Sequence, residues 1–506
     1  MDYVTTAIAG CFIGTPRKSS GDTRSVRASY DAARDGHNAQ HWVYADGLDA
    51  DSANSLPVRK VLTRRSRYEC SNNGFAKGIQ ITQANYVIGR GPKLRMMTKS
   101  AGFNSMVEEA WKRWCKRVHL SRKLRTAVMA KVQDGEGILQ AVTSRNLRDT
   151  VKLNVLGIET ERMTTPYLEA FKVGQIDGIE FDEDGEPAYY HILKQHPGGP
   201  WSGVNPTPDK VPARFVFHLF RLDRFGQHRG VPETTPTLNL FANSRRYREA
   251  TVAAAENIAN FSILLKQPSA ADDGPDVSRP FTTMPMEKGM MVALPADNEA
   301  FQPKAEQPTA TYAEFTRSQL AEEARPFSMS YSIAACDSSG NSFSGTKNDH
   351  QIYYVAVDVE QEDVETIILD PLFELWFDEA VKAYGWAVSA DTAPPHDWGW
   401  PAKPKIDEQK TASARATDLA SGVATLDDLW IEDGYDPEDQ YAKLAAGYGL
   451  TVEEVKRRLA DKHLGANVKQ AAPDEPDDDE DEPPPKANGR TNGYGGRMAS
   501  SNGSSR

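Results

Sequence analysis

Apolar positions fall at helical spacing from Leu56 onward, whereas residues 1–55, rich in Ser, Asp, Ala and Gly with scattered Tyr30, Trp42 and Tyr44, keep no period and read as an irregular arm. Ser71-Asn72-Asn73 has the residue types of a cap for a helix carrying Phe75, Ile79, Ala84, Tyr86 and Val87, and Gly89-Arg90-Gly91-Pro92 ends it. A strand at 93–96 precedes an amphipathic helix at 104–117, with Met106, Val107, Ala110, Trp111 and Trp114 three and four apart. A second helix covers 121–133. The texture then turns to β, with runs at 137–143, 152–158, 188–193 and 214–220 and Gly-containing turns at Asp134-Gly135 and Asp184-Gly185.

After Arg229-Gly230-Val231-Pro232 the pattern is helical again to Gln267, holding Ala253-Ala254-Ala255. Helical throughout from Thr237, it would span about 45 Å. Residues 268–308 are dense in Pro and Met with short β-like pieces such as 290–294, a small module of their own. Helix returns at 311–324 and again after Pro326, until Asp337-Ser338-Ser339-Gly340-Asn341-Ser342 breaks it with an exposed polar loop. A long helix follows over 346–384, with a joint at Pro371. Short helices fill 405–465, where Thr425-Leu426-Asp427-Asp428 fits a capped start. From 466 the composition collapses to eight acids in nine positions at 474–482, then Pro, Gly, Asn and Ser, which reads as a disordered tail. The class is α+β.

Composition removes several functions. Lys+Arg 59 against Asp+Glu 71 leaves a charge of −12, which excludes a generally basic protein that coats nucleic acid. No run of eighteen apolar residues is present to span a membrane, and the start lacks the basic-then-apolar order of a secretory signal, so a cytoplasmic place of assembly is expected. Cys11, Cys70, Cys115 and Cys336 stand far apart without a CxxC pair and read as free packing thiols.

Reactive groups do not converge in the sequence. Gly89-Arg90-Gly91 lacks the rest of a phosphate loop and reads as a helix C-cap. His37 and His41 at i, i+4 with Asp35 imitate a metal face but lie in the arm, where solvated histidines are expected. Asp182-Glu183-Asp184-Gly185 lacks the remaining calcium ligands and reads as a hairpin turn; Ser339 and Ser342 have no nucleophile elbow. No catalytic residue, metal or cofactor is assigned. Two basic clusters occur, one of Arg59, Lys60, Arg64, Arg65 and Arg67, the other of Lys112, Arg113, Lys116, Arg117, Arg122, Lys123 and Arg125 around Trp111 and Trp114. They read as solvated faces, or as partners for an acidic neighbouring subunit, ahead of nucleic-acid contacts.

Three stretches carry a family likeness. Asn72-Asn73-Gly74-Phe75-Ala76 with Asn85-Tyr86-Val87-Ile88-Gly89-Arg90-Gly91 resembles the opening helix and turn of lambda-type portal proteins of tailed bacteriophages. Val211-Pro212-Ala213-Arg214-Phe215-Val216-Phe217-His218-Leu219-Phe220, ending in Gln227-His228-Arg229-Gly230-Val231-Pro232, is similar to that family's strand and entry into its stem helix. Asp134-Gly135-Glu136-Gly137 and Pro404-Lys405-Ile406-Asp407 match more loosely, and the likeness covers about residues 56–440.

The resemblance implies a ring of twelve copies at one capsid vertex of the virion, a channel for DNA packaging and ejection. The implied partners are double-stranded DNA contacted without sequence reading, the terminase large subunit, head-completion or adaptor proteins, and the major capsid or scaffolding protein. It implies a first wing part at 56–230, stem helix 1 at 231–267, a clip at 268–308, stem helix 2 at 309–336, a tunnel loop at 337–347, a long helix with the rest of the wing at 348–404, and a crown at 405–465. The arm at 1–55 and the tail at 466–506 match no family motif. Asn341, Ser342 and Lys347 are the expected DNA-facing residues of the loop. Two other readings stay open: a metal-dependent nucleic-acid enzyme using the Trp111 and Trp114 region with Asp358, Glu360 and Glu362, and a head-to-tail adaptor or scaffold without a channel.

Overall fold

The computed structural model describes residues 37–166, 174–200, 207–260, 264–266, 299–301, 311–388, 393–404 and 407–465. Within them, the chain runs α1 (Leu56–Asn72), α2 (Gly74–Val87), β1 (Lys93–Met96), α3 (Ala101–Val118), α4 (Leu120–Asp134), β2 (Glu136–Thr143) and β3 (Leu153–Ile158). Next come β4 (Gln175–Ile176), β5 (Ile179–Phe181), β6 (Pro187–Ile192), β7 (Asp209–Pro212), β8 (Val216–Phe220) and α5 (Leu238–Asn260). β9 (Leu264–Lys266), β10 (Glu299–Phe301), α6 (Tyr312–Ala324), α7 (Tyr331–Ala335), α8 (Phe343–Val364) and α9 (Asp370–Tyr384) follow. The last elements are β11 (His396–Gly399), α10 (Glu408–Ser421), α11 (Leu426–Glu432), α12 (Pro437–Tyr448) and α13 (Val452–Gly465). This is a mixed helix-and-sheet chain, as its hydrophobic patterning predicts.

The chain divides into two units. The larger takes residues up to Gly89 together with Trp114–Ala393. At its centre, β3, β2 and β8 form an antiparallel sheet in that order, with Ile138 opposite Ile158 on one side and His218 on the other. α4 lies on this sheet so closely that a Cβ at Gly137 would sit 2.4 Å from the Ala127 carbonyl oxygen, which is why the second position of β2 must be glycine. A second antiparallel sheet, β4-β5-β6-β7, joins the first through a core of Ile138, Ile158, Met163, Ile179, Tyr190, Ile192 and Val216. Asp182 makes the β5–β6 turn by accepting from the Asp184 and Glu186 amides, with Gly185 at φ 90°, so the acidic run there is the hairpin its spacing predicts.

The long helix does have its joint beside Pro371. α8 and α9 are linked by one wide π-type turn over Glu365–Leu369, with Pro371 in the first turn of α9. A proline has no N–H to donate and its ring crowds the carbonyl four residues back, and the wider turn relieves both. Ile368, Leu369, Phe373 and Trp376 are fully buried there, and Trp376 meets Trp114 at 6.3 Å between rings.

Several boundaries differ from expectation. The helix expected as far as Gln267 stops at Asn260, about 34 Å after its start, and Leu264–Lys266 pairs instead with Glu299–Phe301 as an antiparallel ribbon. α8 begins at Phe343, so residues 343–347 of the expected loop are helical. The described part of the arm is not wholly irregular: it forms a 3-10 helix at His37–Trp42 and, at Ala50–Ala53, a single helical turn that docks, with Asp51 accepting from the His228 amide at 3.0 Å and the Asn54 side chain donating to the carbonyls of Arg229 and Gly230. Apart from β10, the expected clip at 268–308 lies outside the described residues, as do residues 1–36 of the arm and the acidic tail from 466.

The smaller unit takes Arg90–Arg113 and the chain from Pro394. β1 pairs antiparallel with β11, Leu94 opposite Trp398, and Trp111 packs its ring 5.7 Å from that of Trp398. Glu108 accepts from the Met96 amide at 2.7 Å. Four helices, α10 to α13, complete it, and Thr425 and Asp428 close a reciprocal capping box at the start of α11, as the sequence predicts.

Candidate nucleic-acid interface

The segment expected to face DNA connects α7 to α8. Cys336 ends α7 in the left-handed region at φ 52°, and Gly340 at φ 80° turns the chain back toward α8. Between them Asp337 accepts from the Ser339 amide at 2.8 Å, and hydrogen bonding from Ser339 holds its carboxyl below the usual range. Tyr331 donates to the other Asp337 oxygen, and the Arg317 guanidinium of α6 lies 4.6 Å over the Tyr331 ring. Arg317 also donates to Asn341 Oδ1 at 2.9 Å. At the base, Ser332 donates to Asp349 at 2.8 Å. The loop is thus laced to α6, α7 and α8 by polar contacts.

The three expected residues do different things. Asn341 commits its carbonyl oxygen to Arg317, and Ser342 is the N-cap of α8, accepting from the Gly345 amide at 3.1 Å. Lys347 is exposed on the second turn of α8 and can meet a phosphate without reading a base. Arg317 escaped the sequence reading because it lies on another helix, 24 positions before Asn341, and no local pattern links them.

The groups proposed for nucleic-acid chemistry are placed otherwise. Trp111 and Trp114 are buried, and the Trp114 indole donates to the Leu153 carbonyl at 2.8 Å, so neither offers a face for base stacking. Glu360 is ion-paired with the buried Lys131, which also lies 3.3 Å from Glu233. Asp358 and Glu362 point outward. Among the described residues, the ligating side chains that converge in a group of three are Glu159, Glu161 and His196. His196 Nδ1 accepts from the Gly198 amide, which puts the ring proton on Nε2, the atom 3.2 Å from Glu159 and 3.6 Å from Glu161. With its proton on Nε2, the neutral ring has no lone pair on the atom that faces the two carboxylates. His41 is exposed within a turn of helix at His37–Trp42, and Asp35 lies outside the described residues. Of the thiols, Cys70 is buried, but Cys336 is exposed and not a packing residue.

A buried polar network forms at Arg229-Gly230, ahead of α5. Glu136, with no side-chain exposure, accepts from Arg229 Nε at 2.7 Å and Nη2 at 2.9 Å and from the Gly230 amide at 2.8 Å. Burial alone would raise its pKa, but the Arg229 guanidinium beside it overrides this and holds the carboxyl well below its usual range. Burial leaves His218, 3.5 Å from the same carboxylate, below its ordinary value and therefore neutral. Arg59 and Asp177 complete the cluster as an ion pair, and Arg67 is bound to Asp134 and Glu161. Arg59 and Arg67 thus leave the solvated basic cluster of the sequence reading, while Lys60, Arg64 and Arg65 stay exposed. The two Gly-containing motifs meet here: a Cβ on Gly230 would lie 2.1 Å from the Gly135 carbonyl oxygen.

With this geometry in hand, comparison with known proteins gives one family and a set of distant folds. The profile of the phage portal proteins of the lambda family matches residues 36–361. A protein of Halomonas phage phiHAP-1, named "Probable portal protein", is 24% identical over 485 residues, covering 87% of this chain and 88% of its own. Among solved structures, the neck of an empty GTA particle is similar at a TM-score of 0.41, 12% identical, over 75% of this chain and 94% of that one. The virion of a native gene transfer agent particle gives 0.39 at 13% identity, over 76% and 100%. Likenesses this distant carry no functional argument.

Proposed function

Because the chain belongs to the lambda family of phage portal proteins, we propose that twelve copies close into a ring at one vertex of the phage capsid. DNA enters and leaves through its axis, the terminase large subunit and later head-completion proteins dock on it in turn, and capsid or scaffolding protein surrounds it. The observation that carries this reading is the extent of the family match, which runs from residue 36 in the arm past the Arg229-Gly230 junction to residue 361 in the last turn of α8. The mechanism is geometric and uses no catalytic residue. A conduit must not grip its cargo, and a chain of charge −12 repels phosphate at short range while salt screens the effect.

On this reading the loop before α8 lines the channel, and Lys347 makes weak, non-specific contact with the duplex while Asn341 and Ser342 hold the loop and the helix start in place. Lys347→Glu is expected to lower the DNase-protected DNA per head severalfold while heads and rings assemble normally; unchanged packaging removes the loop from the mechanism. Heads assembled without the chain are expected to hold no DNase-protected DNA, and full heads without it would overturn the portal role. The rival enzyme reading loses its stacking platform with the burial of Trp111 and Trp114. A metal-dependent nuclease assay on the purified chain is expected to give no cleavage.

A further inference from the structure

Two exposed helix faces of the larger unit are studded with apolar side chains and carry opposite charge. On α1, Val58, Val61 and Tyr68 share the outward stripe with Lys60, Arg64 and Arg65, while Arg59, Thr63, Ser66, Glu69 and Cys70 are buried on the other side. On α8, Ile352, Val355 and Val359 are 57%, 65% and 57% exposed and share their stripe with Asp358 and Glu362, while Tyr353, Val357, Gln361 and Val364 face the core. Single exposed aliphatics need no explanation, but three at spacings of three and four on one helix face make a contact surface. α2 packs against both helices, so one rigid element carries the two stripes.

We propose that these stripes are the two halves of one subunit contact, α1 of one copy lying along α8 of the next. The proposal rests on the ring reading above and names the surface that closes it. A closed ring of identical subunits needs two different patches per copy, each fitting the other. The lengths agree: ten residues separate Val58 from Tyr68 and Ile352 from Glu362, about 15 Å in each helix. Charge gives the contact its direction. Pairing α1 with α1 would set Lys60, Arg64 and Arg65 against themselves, and pairing α8 with α8 would oppose Asp358 and Glu362, so like-with-like contacts are penalised while pairing α1 with α8 joins unlike charges. Arg245, 5.2 Å over the Tyr68 ring and 3.0 Å from Glu69, holds the aromatic end of the α1 stripe in place.

The test is charge reversal with rescue, read by native mass spectrometry of the full chain. Arg64→Glu with Arg65→Glu, and separately Asp358→Lys with Glu362→Lys, are each expected to cut the ring fraction at least tenfold while far-ultraviolet circular dichroism of the monomer stays unchanged. All four substitutions in one chain are expected to restore rings. In a Cys11→Ser, Cys336→Ser background, Val61→Cys with Val355→Cys is expected to give a ladder of oligomers with a bis-maleimide of about 10 Å reach, and either cysteine alone no more than dimers. Rings that survive both reversals without a ladder overturn this contact and leave the ring reading standing. An unsubstituted chain that forms no ring overturns the ring reading, and this contact with it.

Discussion

Glu136 keeps its charge without water because every part of its carboxylate is engaged: Arg229 donates twice, and the Gly230 amide and the Thr160 hydroxyl donate once each. Neutralising it leaves the equally buried Arg229 short of a counter-charge, so Glu136→Gln is expected to cost about 3–5 kcal/mol of unfolding free energy, measurable by urea titration. Glu108 behaves in the opposite sense. Burial, and then the neighbouring Asp436, Asp439 and Glu438, outweigh its hydrogen bond from Met96 and push its pKa up to about 7 from an ordinary 4.5. The folded state therefore holds a proton that the unfolded chain has released across that window, and the smaller unit loses stability as pH rises from 4.5 to 7. Glu108→Gln keeps an acceptor for the Met96 amide and removes the titration. It should raise the unfolding free energy more at pH 8 than at pH 5, by about 1 kcal/mol after discounting for solvent screening. An equal shift at both pH values would remove Glu108 as the cause.

The Arg229-Gly230-Val231-Pro232 segment shows how a motif readable in one dimension acts in three. Its arginine enters the Glu136 network, and its glycine lies against Gly135 with no room for a methyl group. Gly230→Ala should therefore destabilise by about 3 kcal/mol through overpacking and undock the start of α5; a melting temperature equal to that of the unsubstituted chain would contradict this close approach. The two motifs were legible in the sequence as separate family likenesses, but their docking was not, because 92 positions separate Gly135 from Gln227 and no periodicity spans such a gap. Local signals fared as their physics dictates. The strand at Lys93–Met96, the Thr425 capping box and the Pro371 joint are set by neighbours in sequence and were all readable. The end of α5 was not, since Ala253-Ala254-Ala255 and the absence of a breaker before Pro268 favour helix, while pairing with Glu299–Phe301 decides for strand. Burial of Arg59 and Arg67 was equally hidden, because their acidic partners lie 67 to 118 positions away.

A chain of 506 residues with two compact units, a buried ionic network at Arg229-Gly230, and oppositely charged stripes on two exposed helix faces carries the surfaces that the proposed ring needs. Membership of the portal family is the ground for proposing that ring, and the excess of acid over base suits a passage more than a clamp. The smaller unit draws together residues 90–113 and the chain from Pro394, so its helices were visible in the sequence but its composite origin was not: β1 finds its partner β11 only after 299 intervening positions. Closure of the ring is the claim on which channel, docking and packaging all depend. Native mass spectrometry of the purified full-length chain tests it most directly: the account predicts a dominant species near twelve times 55.9 kDa, and a single 55.9 kDa species at every concentration would contradict it.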